Sequence, residues 1–306
     1  DKKKILTERK DGEKTERVIP KGRLYLENDK RERKATGSYY TPDYIVKYIV
    51  ENTVGPVLKE KFDKLAPEFR RAQKDYREAL KRRDDFIKRG MKPEDPEKAA
   101  LNYKGLVNEL FDVKVLDPAM GSGHFLVEAA DFISDRLIDF LNGFPWNPVL
   151  STLRTTRETI LEEMDRQGVV IDKGRLTDVN LLKRHVLKRC IYGVDLNPMA
   201  VELAKVSLWL NCFTLGAPLS FLDHHVKCGN SLIGTTVDEV REELEKDLFG
   251  GQFVGLLQAT EGMVHVGELS DVTGDQVRDS KTSFAQASGI LRPFKQVLDL
   301  WTSRHF

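Results

Sequence analysis

Three short apolar runs in this chain each end in a loop of small and polar residues. The runs are Val113–Leu116, Cys190–Val194 and His225–Cys228. Their loops begin at Asp117, Asp195 and Gly229, and a helical pattern follows the first two loops. Strands that alternate with helices form right-handed crossovers and a parallel sheet. The order therefore predicts an α/β fold built on a doubly wound parallel sheet.

The rest of the chain is organised around this alternating core. Its 306 residues, 40% of them hydrophobic, are enough to bury a large core. We expect four regions: a polar lead-in at 1–35, a loop and charged helical segment at 36–110, the core at 111–235 and a helical segment at 236–306. The core contains a helical insertion at about 145–187. In the lead-in the pattern allows at most a short strand, at Arg23–Leu26.

Local signals predict where the helices begin and end. A first helix is expected from Asp43, with Thr41 as its cap and Pro42 at its first position, and it should end near Gly55-Pro56. Residues 59–98 carry apolar side chains at spacings of three, four and seven, which indicates an amphipathic helix or helical hairpin. Further helices are expected at His124–Leu141, Val149–Met164, a stretch capped by Asp178, a stretch opened by Asn197 and Pro198, Val237–Leu248 and Phe284–Trp301.

Composition limits the classes of function. The chain has 49 Lys and Arg residues and 48 Asp and Glu residues, so its net charge is too small to attract nucleic acid to the chain as a whole. DNA binding therefore has to be argued from motifs. The chain has no apolar run of about 18 residues and no secretory leader pattern, so we expect no membrane contact and a cytoplasmic location. Cys190, Cys212 and Cys228 are too far apart for a zinc site and are expected to be buried. The pair His224-His225 lacks further ligands at metal-binding spacing and is interpreted as a strand entry, so no metal is predicted.

The three loops carry residues suited to a charged nucleoside. In an open parallel sheet, ligands bind at the carboxyl ends of the strands, where all three loops fall. Gly121 and Gly123 let the backbone turn tightly, and the amides that open the next helix can donate to an anionic group. Asp117 and Asp195 would lie at the rim of one crevice, where one carboxylate can accept from a ligand ammonium and the other from two ribose hydroxyls.

A dinucleotide would use a related layout, and the residues argue against it. Leu126 stands where the third glycine of Gly-x-Gly-x-x-Gly is expected, and Asp117 would place negative charge against a pyrophosphate. A carboxylate is attracted to an ammonium and repelled by phosphates. The pattern thus favours S-adenosylmethionine over NAD.

Four motifs stand out along the chain: Gly37–Pro42, Asp117–Leu126, Gly193–Pro198 and Gly229–Leu232. In this order they resemble the first four motifs of the gamma-class amino DNA methyltransferases, and most of all the large adenine-specific enzymes of restriction-modification and bacteriophage-exclusion systems. The resemblance implies a Rossmann-like fold of the class I methyltransferases, here incomplete and with large helical insertions, and S-adenosylmethionine as cofactor.

The resemblance also implies which residues hold the cofactor's methionine end. Tyr40 and Thr41 would close over it. Asp117 and the loop after it would hold the amino and carboxylate groups. The loop residues are Pro118, Ala119, Met120, Gly121 and Gly123. Thr41-Pro42 taken alone is also an ordinary helix start, and that alternative stays open.

The other two loops are implied to hold the nucleoside. Asp195 would bind the ribose hydroxyls, and Leu196 would lie against the adenine ring. Asn230 stands where the family usually has an aspartate that accepts from the adenine amino group, and an amide oxygen can accept there as well. Asp195 could instead cap the following helix, and Asn230 could be a turn residue.

The family's catalytic loop is absent from this sequence. That loop reads Asn, Asp or Ser followed by Pro-Pro and an aromatic residue, but the chain contains no Pro-Pro pair. We therefore assign no catalytic residue and expect the cofactor-binding front part of a longer, site-specific adenine DNA methyltransferase. Double-stranded DNA would bind to the full-length protein, and a nuclease or other subunits of a defence system could be fused to it or associated with it. The alternatives are a non-catalytic cofactor-binding module and a nucleotide-dependent oxidoreductase.

Overall fold

A computed structural model describes residues 3–8, 14–19, 41–169, 176–235 and 253–303. The chain divides into two units, residues 1–40 and 41–306. In the first unit, strands β1 (Lys3–Glu8) and β2 (Lys14–Ile19) pair antiparallel, so the expectation of at most one short strand in the lead-in was wrong. The expected strand Arg23–Leu26, the expected helix Val237–Leu248 and Tyr40 lie outside the described residues.

The second unit combines helices with a parallel sheet. Strands β3 (Val115–Asp117), β4 (Ile191–Asp195) and β5 (Val226–Cys228) pair in that order, with Val115 opposite Ile191 and Gly193 opposite Val226. The predicted parallel α/β arrangement is confirmed, in the form of a small sheet among many helices. The helices are α1 (Asp43–Lys88), α2 (Lys98–Leu101), α3 (Lys104–Leu110), α4 (His124–Asn142), α5 (Pro148–Arg166), α6 (Asp178–Cys190), α7 (Pro198–Asn211), α8 (Phe253–Glu268) and α9 (Gly274–Ser303).

Helix α1 runs straight through the break that the sequence predicted at Gly55-Pro56. It has 46 residues and contains Pro56 and Pro67 in its interior. A proline inside a helix costs about 3 kcal/mol, because it removes a backbone donor and crowds the preceding turn. One stripe of buried side chains continues past Pro56, however, and its burial outweighs that penalty. The stripe contains Val46, Val50, Val54, Leu58, Leu65, Phe69 and Ala72.

The predicted caps are right at one helix and wrong at two. Asn197 caps α7, where its Oδ1 accepts from the Met199 amide at 2.9 Å. Helix α1 begins at Asp43 as expected, but Pro42 rather than Thr41 is its cap and no side-chain bond forms there. Helix α6 is capped by Thr177 rather than Asp178. Asp178 instead pairs with Arg157 at 2.6 Å, which ties α6 to α5.

A buried polar cluster joins α6 to the α8–α9 connection, and we call it the Asp271 cluster. Asp271 is fully buried, and its Oδ2 accepts from the Lys188 ammonium and from the Phe221 amide at 2.8 Å, while its Oδ1 accepts from the Ser280 hydroxyl at 2.6 Å. The Arg184 guanidinium, also buried, donates to three backbone carbonyls around it. The cluster thus satisfies most of its own polar atoms while it fixes three segments together.

None of the helices in the described ranges is both long enough and apolar enough to cross a membrane.

Cys190 and Cys212 are buried as expected, but Cys228 is exposed. Cys228 ends β5, which lies at the edge of the described sheet, so it has fewer neighbours than a residue of the central strand.

Candidate functional site

The three loops at the carboxyl ends of the strands are joined by hydrogen bonds. The Gly121 amide donates to Oδ2 of Asp195 at 2.9 Å, which connects the loop after β3 to the loop after β4. The Gly229 amide donates to the Asp195 carbonyl at 2.9 Å. The Ser231 hydroxyl donates to the Pro118 carbonyl at 2.7 Å. The structure therefore brings the three predicted loops together at one edge of the sheet.

The loop at 117–123, which we call the glycine loop, depends on glycine at two positions. Gly121 has φ 54° and Gly123 has φ 84°, values that other residues adopt only with strain. A Cβ on Gly123 would lie 3.1 Å from Cβ and 3.2 Å from Cα of Ala204, so α7 passes directly against the loop. Gly123 is also the N-cap of α4, and the first amides of this helix open next to the loop.

Met120 contributes its backbone to the site and its side chain to the core. Its amide donates to the Val194 carbonyl at 3.0 Å, while the side chain is only 4% exposed. A Cβ on Gly193 would lie 2.3 Å from the Met120 sulfur, so the side chain fills the space left by that glycine. The side chain of Met120 therefore faces away from the loop surface.

Asp117 has one carboxylate oxygen that remains available. Its Oδ1 accepts from the Ala119 amide at 2.9 Å, and no donor among the described residues bonds to its Oδ2. Burial raises the pKa of Asp117, the Ala119 amide opposes that shift, and the nearby charge of Asp195 raises the pKa further. The Gly121 amide, four residues after Asp117, bonds to Asp195, so the two carboxylates belong to adjoining loops. A cationic ligand there would relieve both the burial and the repulsion.

The Asp195 carboxylate is buried and accepts hydrogen bonds from the backbone of two loops. Its Oδ2 accepts from the Gly121 amide in the glycine loop, and its Oδ1 accepts from the Asn197 amide at 2.8 Å in the loop after β4. The residue is 9% exposed. It does not cap α7, since Asn197 has that role. Each carboxylate oxygen can accept more than one hydrogen bond, so one acceptor position on each remains for a ligand.

The start of α1, two residues after Thr41, is joined to the start of α4, which directly follows the glycine loop. Oδ1 of Asp43, at the start of α1, lies 3.1 Å from Nε2 of His124, at the start of α4. Thr41 is half-buried two residues before Asp43. The sequence analysis assigned no role to the His124 side chain, because no local pattern relates it to Asp43, 81 positions away.

The remaining predicted residues lie at the surface of the same edge. Leu196 is 55% exposed, and Pro118, Ala119 and Asn230 are also exposed. Oδ1 of Asn230 accepts from the Leu232 amide at 3.0 Å, which is the turn role that the sequence left open. Its amide oxygen has a second acceptor position for a ligand. No group of three or more His, Cys, Asp or Glu side chains in the described part of the chain could hold a metal ion.

The chain is similar to two proteins that combine restriction and methylation. A protein of Methanocaldococcus jannaschii named as a type II restriction enzyme and methyltransferase, RM.MjaORFECS2P, is 29% identical over 223 residues, which are 69% of this chain and 16% of that protein. The type II restriction enzyme and methyltransferase RM.Eco57I of Escherichia coli is 29% identical over 144 residues, 44% of this chain and 12% of that protein. The chain thus spans less than a fifth of either relative. No family model and no solved structure matches it.

Proposed function

We propose that this chain is the S-adenosylmethionine-binding part of a DNA methyltransferase that acts on the amino group of adenine within a restriction-modification system. One observation carries the proposal. The Asp195 carboxylate holds the glycine loop in place beside Asp117, at the carboxyl edge of a parallel sheet. The names of both relatives support the methyltransferase and restriction parts of the proposal.

The residues fit a nucleoside that carries a positive charge. The uncommitted oxygen of Asp117 would accept from the methionine ammonium, and the amides at the start of α4 would donate to the methionine carboxylate. Each Asp195 carboxylate oxygen already accepts one backbone hydrogen bond and has a second acceptor position, and these second positions would accept from the ribose hydroxyls. Leu196 would cover one face of the adenine, and Asn230 would meet its edge. When bound, the cofactor supplies an electrophilic methyl group.

Chemistry on the target base would need residues that this sequence does not contain. A base inside a duplex has to be extruded before its amino group can reach a methyl donor, which requires a few kcal/mol. A catalytic loop would then hold the adenine amino nitrogen in line with the methyl group, and most of the acceleration would come from this positioning. The chain has no Pro-Pro pair, so its own residues would perform the donor half of the reaction.

A nucleotide-dependent oxidoreductase is the second candidate. It shares the strand, glycine-loop and helix arrangement with the first. The Asp117 carboxylate disfavours it, because a pyrophosphate at the start of α4 would lie near an acidic side chain that is partly removed from water. Titration with NAD separates the two, since an oxidoreductase would bind NAD more tightly than S-adenosylhomocysteine.

We expect the chain to bind S-adenosylmethionine and S-adenosylhomocysteine weakly. The substitution Asp195→Ala should weaken the binding of both molecules by about tenfold or more, because charge-assisted hydrogen bonds contribute roughly 1.5–3 kcal/mol. Asp117→Asn, which keeps the oxygen that accepts from Ala119, should weaken them as well. Isothermal titration calorimetry measures both effects.

Asp135→Ala is the matched control for these variants. Asp135 is an exposed carboxylate on α4 that forms no hydrogen bond to the loops among the residues that the structure describes, so its removal should leave the heats of binding unchanged. Circular dichroism would show that each variant is folded. Equal affinities for wild type, Asp195→Ala and Asp117→Asn would contradict the assignment of the site.

The second prediction is that the chain alone transfers no methyl group to DNA. Because the Pro-Pro loop is missing, we expect no incorporation of radiolabelled methyl into duplex DNA, even at cofactor concentrations that saturate binding. Incorporation above background that disappears in Asp195→Ala would show that another part of this chain performs the catalytic step.

A further inference from the structure

The outer face of the second half of α1 carries a concentrated positive charge. Residues 70–83 contain seven Lys and Arg residues but two Asp and Glu residues, whereas the net charge of the whole chain is +1. Four of the cations follow one another at intervals of four, three and four residues, so they lie in one row, within about 60° of one another around the helix axis. All four are exposed. We call this row the basic stripe, and it consists of Arg70, Lys74, Arg77 and Lys81.

Neighbouring carboxylates neutralise little of this charge. Oε1 of Glu78 lies 3.9 Å from the ammonium of Lys74, and both side chains are more than half exposed, so the pair contributes little. The Asp75 carboxylate accepts from a tyrosine hydroxyl on another side of the helix. Asp84 and Asp85 come after the last cation of the stripe. In the part of the chain that the structure describes, the other three cations of the stripe form no ion pair, so the stripe keeps an excess of positive charge.

The contacts that hold this part of α1 lie on its other sides. The Tyr76 ring stacks on the Trp146 ring, with the ring centres 4.0 Å apart. Phe69 and Ala72 are fully buried. The helix is therefore fixed without its stripe being covered. At 1.5 Å per residue the stripe extends over about 16 Å, and charges held on one rigid element need little ordering when a ligand binds.

We propose that the basic stripe binds the phosphate backbone of double-stranded DNA without regard to base sequence. Along one strand of a duplex the phosphates follow one another at about 3.4 Å of axial rise, so a line of about 16 Å passes roughly five of them. Each phosphate that a Lys or Arg neutralises releases counterions, and this release drives the binding. Such contacts fix the orientation of the protein on the duplex and carry no sequence information. The choice of DNA as the partner rests on the function proposed above, while the surface follows from the charges of α1.

An anionic membrane is the other large surface that attracts a basic helix, and α1 is not suited to it. A helix that lies on a membrane inserts an apolar face between the lipid headgroups. The apolar face of α1 beside the stripe is packed against the rest of the protein, since Leu65, Phe69 and Ala72 are at most 1% exposed. Phosphates in a line along a duplex need no such insertion, so the structure favours DNA.

A fluorescently labelled duplex of arbitrary sequence, titrated with the whole chain and followed by fluorescence anisotropy, tests the proposal. We expect a dissociation constant of about 1–100 μM at physiological salt, in the range of non-specific DNA binding. Replacing all four cations of the stripe with glutamine, which preserves helix propensity, should weaken binding by about tenfold or more. The logarithm of the affinity should also fall less steeply with the logarithm of the salt concentration, by about 0.9 for each phosphate contact that is lost. This stripe variant carries Arg70→Gln, Lys74→Gln, Arg77→Gln and Lys81→Gln.

A variant of α9 is the matched control, because it loses the same number of positive charges from exposed positions on another long helix. It should bind the duplex like the wild type, and circular dichroism would show that both variants are folded. The proposal is overturned if the wild type binds no duplex, if the two variants bind the duplex equally, or if the wild type binds vesicles of phosphatidylserine and phosphatidylcholine more tightly than DNA. The α9 variant carries Arg278→Gln, Lys281→Gln, Arg292→Gln and Lys295→Gln.

Titration with S-adenosylhomocysteine keeps this proposal apart from the proposed function. The stripe variant should bind S-adenosylhomocysteine like the wild type, since none of its substitutions lies in the loops at the carboxyl edge of the sheet. A chain that binds duplex through the stripe but does not bind S-adenosylhomocysteine would contradict the cofactor site and support the stripe. A chain that binds S-adenosylhomocysteine but no duplex would contradict the stripe alone.

Discussion

Asp271→Ala is expected to lower the free energy of unfolding by about 3–5 kcal/mol, the range for breaking a buried ion pair by removing one partner. The substitution leaves the Lys188 ammonium, whose side chain is 2% exposed, without its counter-charge. It also removes the acceptor of the Phe221 amide and of the Ser280 hydroxyl. Urea denaturation followed by circular dichroism would measure the loss, which is large compared with the 5–15 kcal/mol of a typical domain.

Two comparisons isolate the buried charge as the cause. Asp275→Ala removes an aspartate whose side chain is 73% exposed and paired with Arg278, and it should change stability by less than about 0.5 kcal/mol. The double variant Lys188→Met with Asp271→Asn removes both charges, and asparagine tolerates the positive φ of 52° at this position. We expect the double variant to be more stable than Asp271→Asn alone, which keeps the same backbone preference and leaves the Lys188 ammonium without its counter-charge. A loss below about 1 kcal/mol in Asp271→Ala would contradict the structural role given to the Asp271 cluster.

Gly123→Ala is expected to be the most damaging single change in the glycine loop. An alanine at φ 84° is strained, which costs about 1–2 kcal/mol, and its Cβ would lie 3.2 Å from the Ala204 backbone, where little relaxation is available. We expect a total loss of about 2–4 kcal/mol by thermal or urea denaturation. Since the methyl group would push the loop away from α7, binding of S-adenosylhomocysteine should weaken as well.

Gly121→Ala is the matched control within the same loop. Gly121 also has a positive φ, of 54°, but a Cβ there would meet nothing within 4 Å. Only the backbone strain remains, so we expect a loss of about 1–2 kcal/mol. Equal losses for the two variants would show that the contact with Ala204 is not what makes Gly123 necessary.

The features that the sequence predicted well are those with a local cause. Asn197 followed by Pro198 marks the start of α7, because the amide side chain caps and the proline fits the first turn. The strand after α6 and its Asp195 were predicted from a short apolar run that ends at a polar residue. The joining of the loops that begin at Asp117 and Asp195 followed from one general property of parallel sheets.

The features that the sequence did not predict depend on residues far apart in the chain. Pro56 is a strong local helix breaker, and only the packing of the stripe on both sides of it keeps α1 continuous. Lys188 and Asp271 are 83 residues apart, and neither has a neighbour in sequence that suggests a buried pair. The pair His224-His225 was read as a strand entry, and it does directly precede β5, but its burial beside a cavity could not be inferred from the residue types.

The bond between Gly121 and Asp195 spans 74 positions in the chain. Such a contact forms only after a long segment has closed on itself, and the entropy of that closure has to be compensated by the pairing of β3 with β4. We therefore expect the glycine loop to acquire its shape together with the sheet and not before it. Loop and sheet should behave as one cooperative unit, or foldon, in which a fluctuation that separates the two strands also releases the loop.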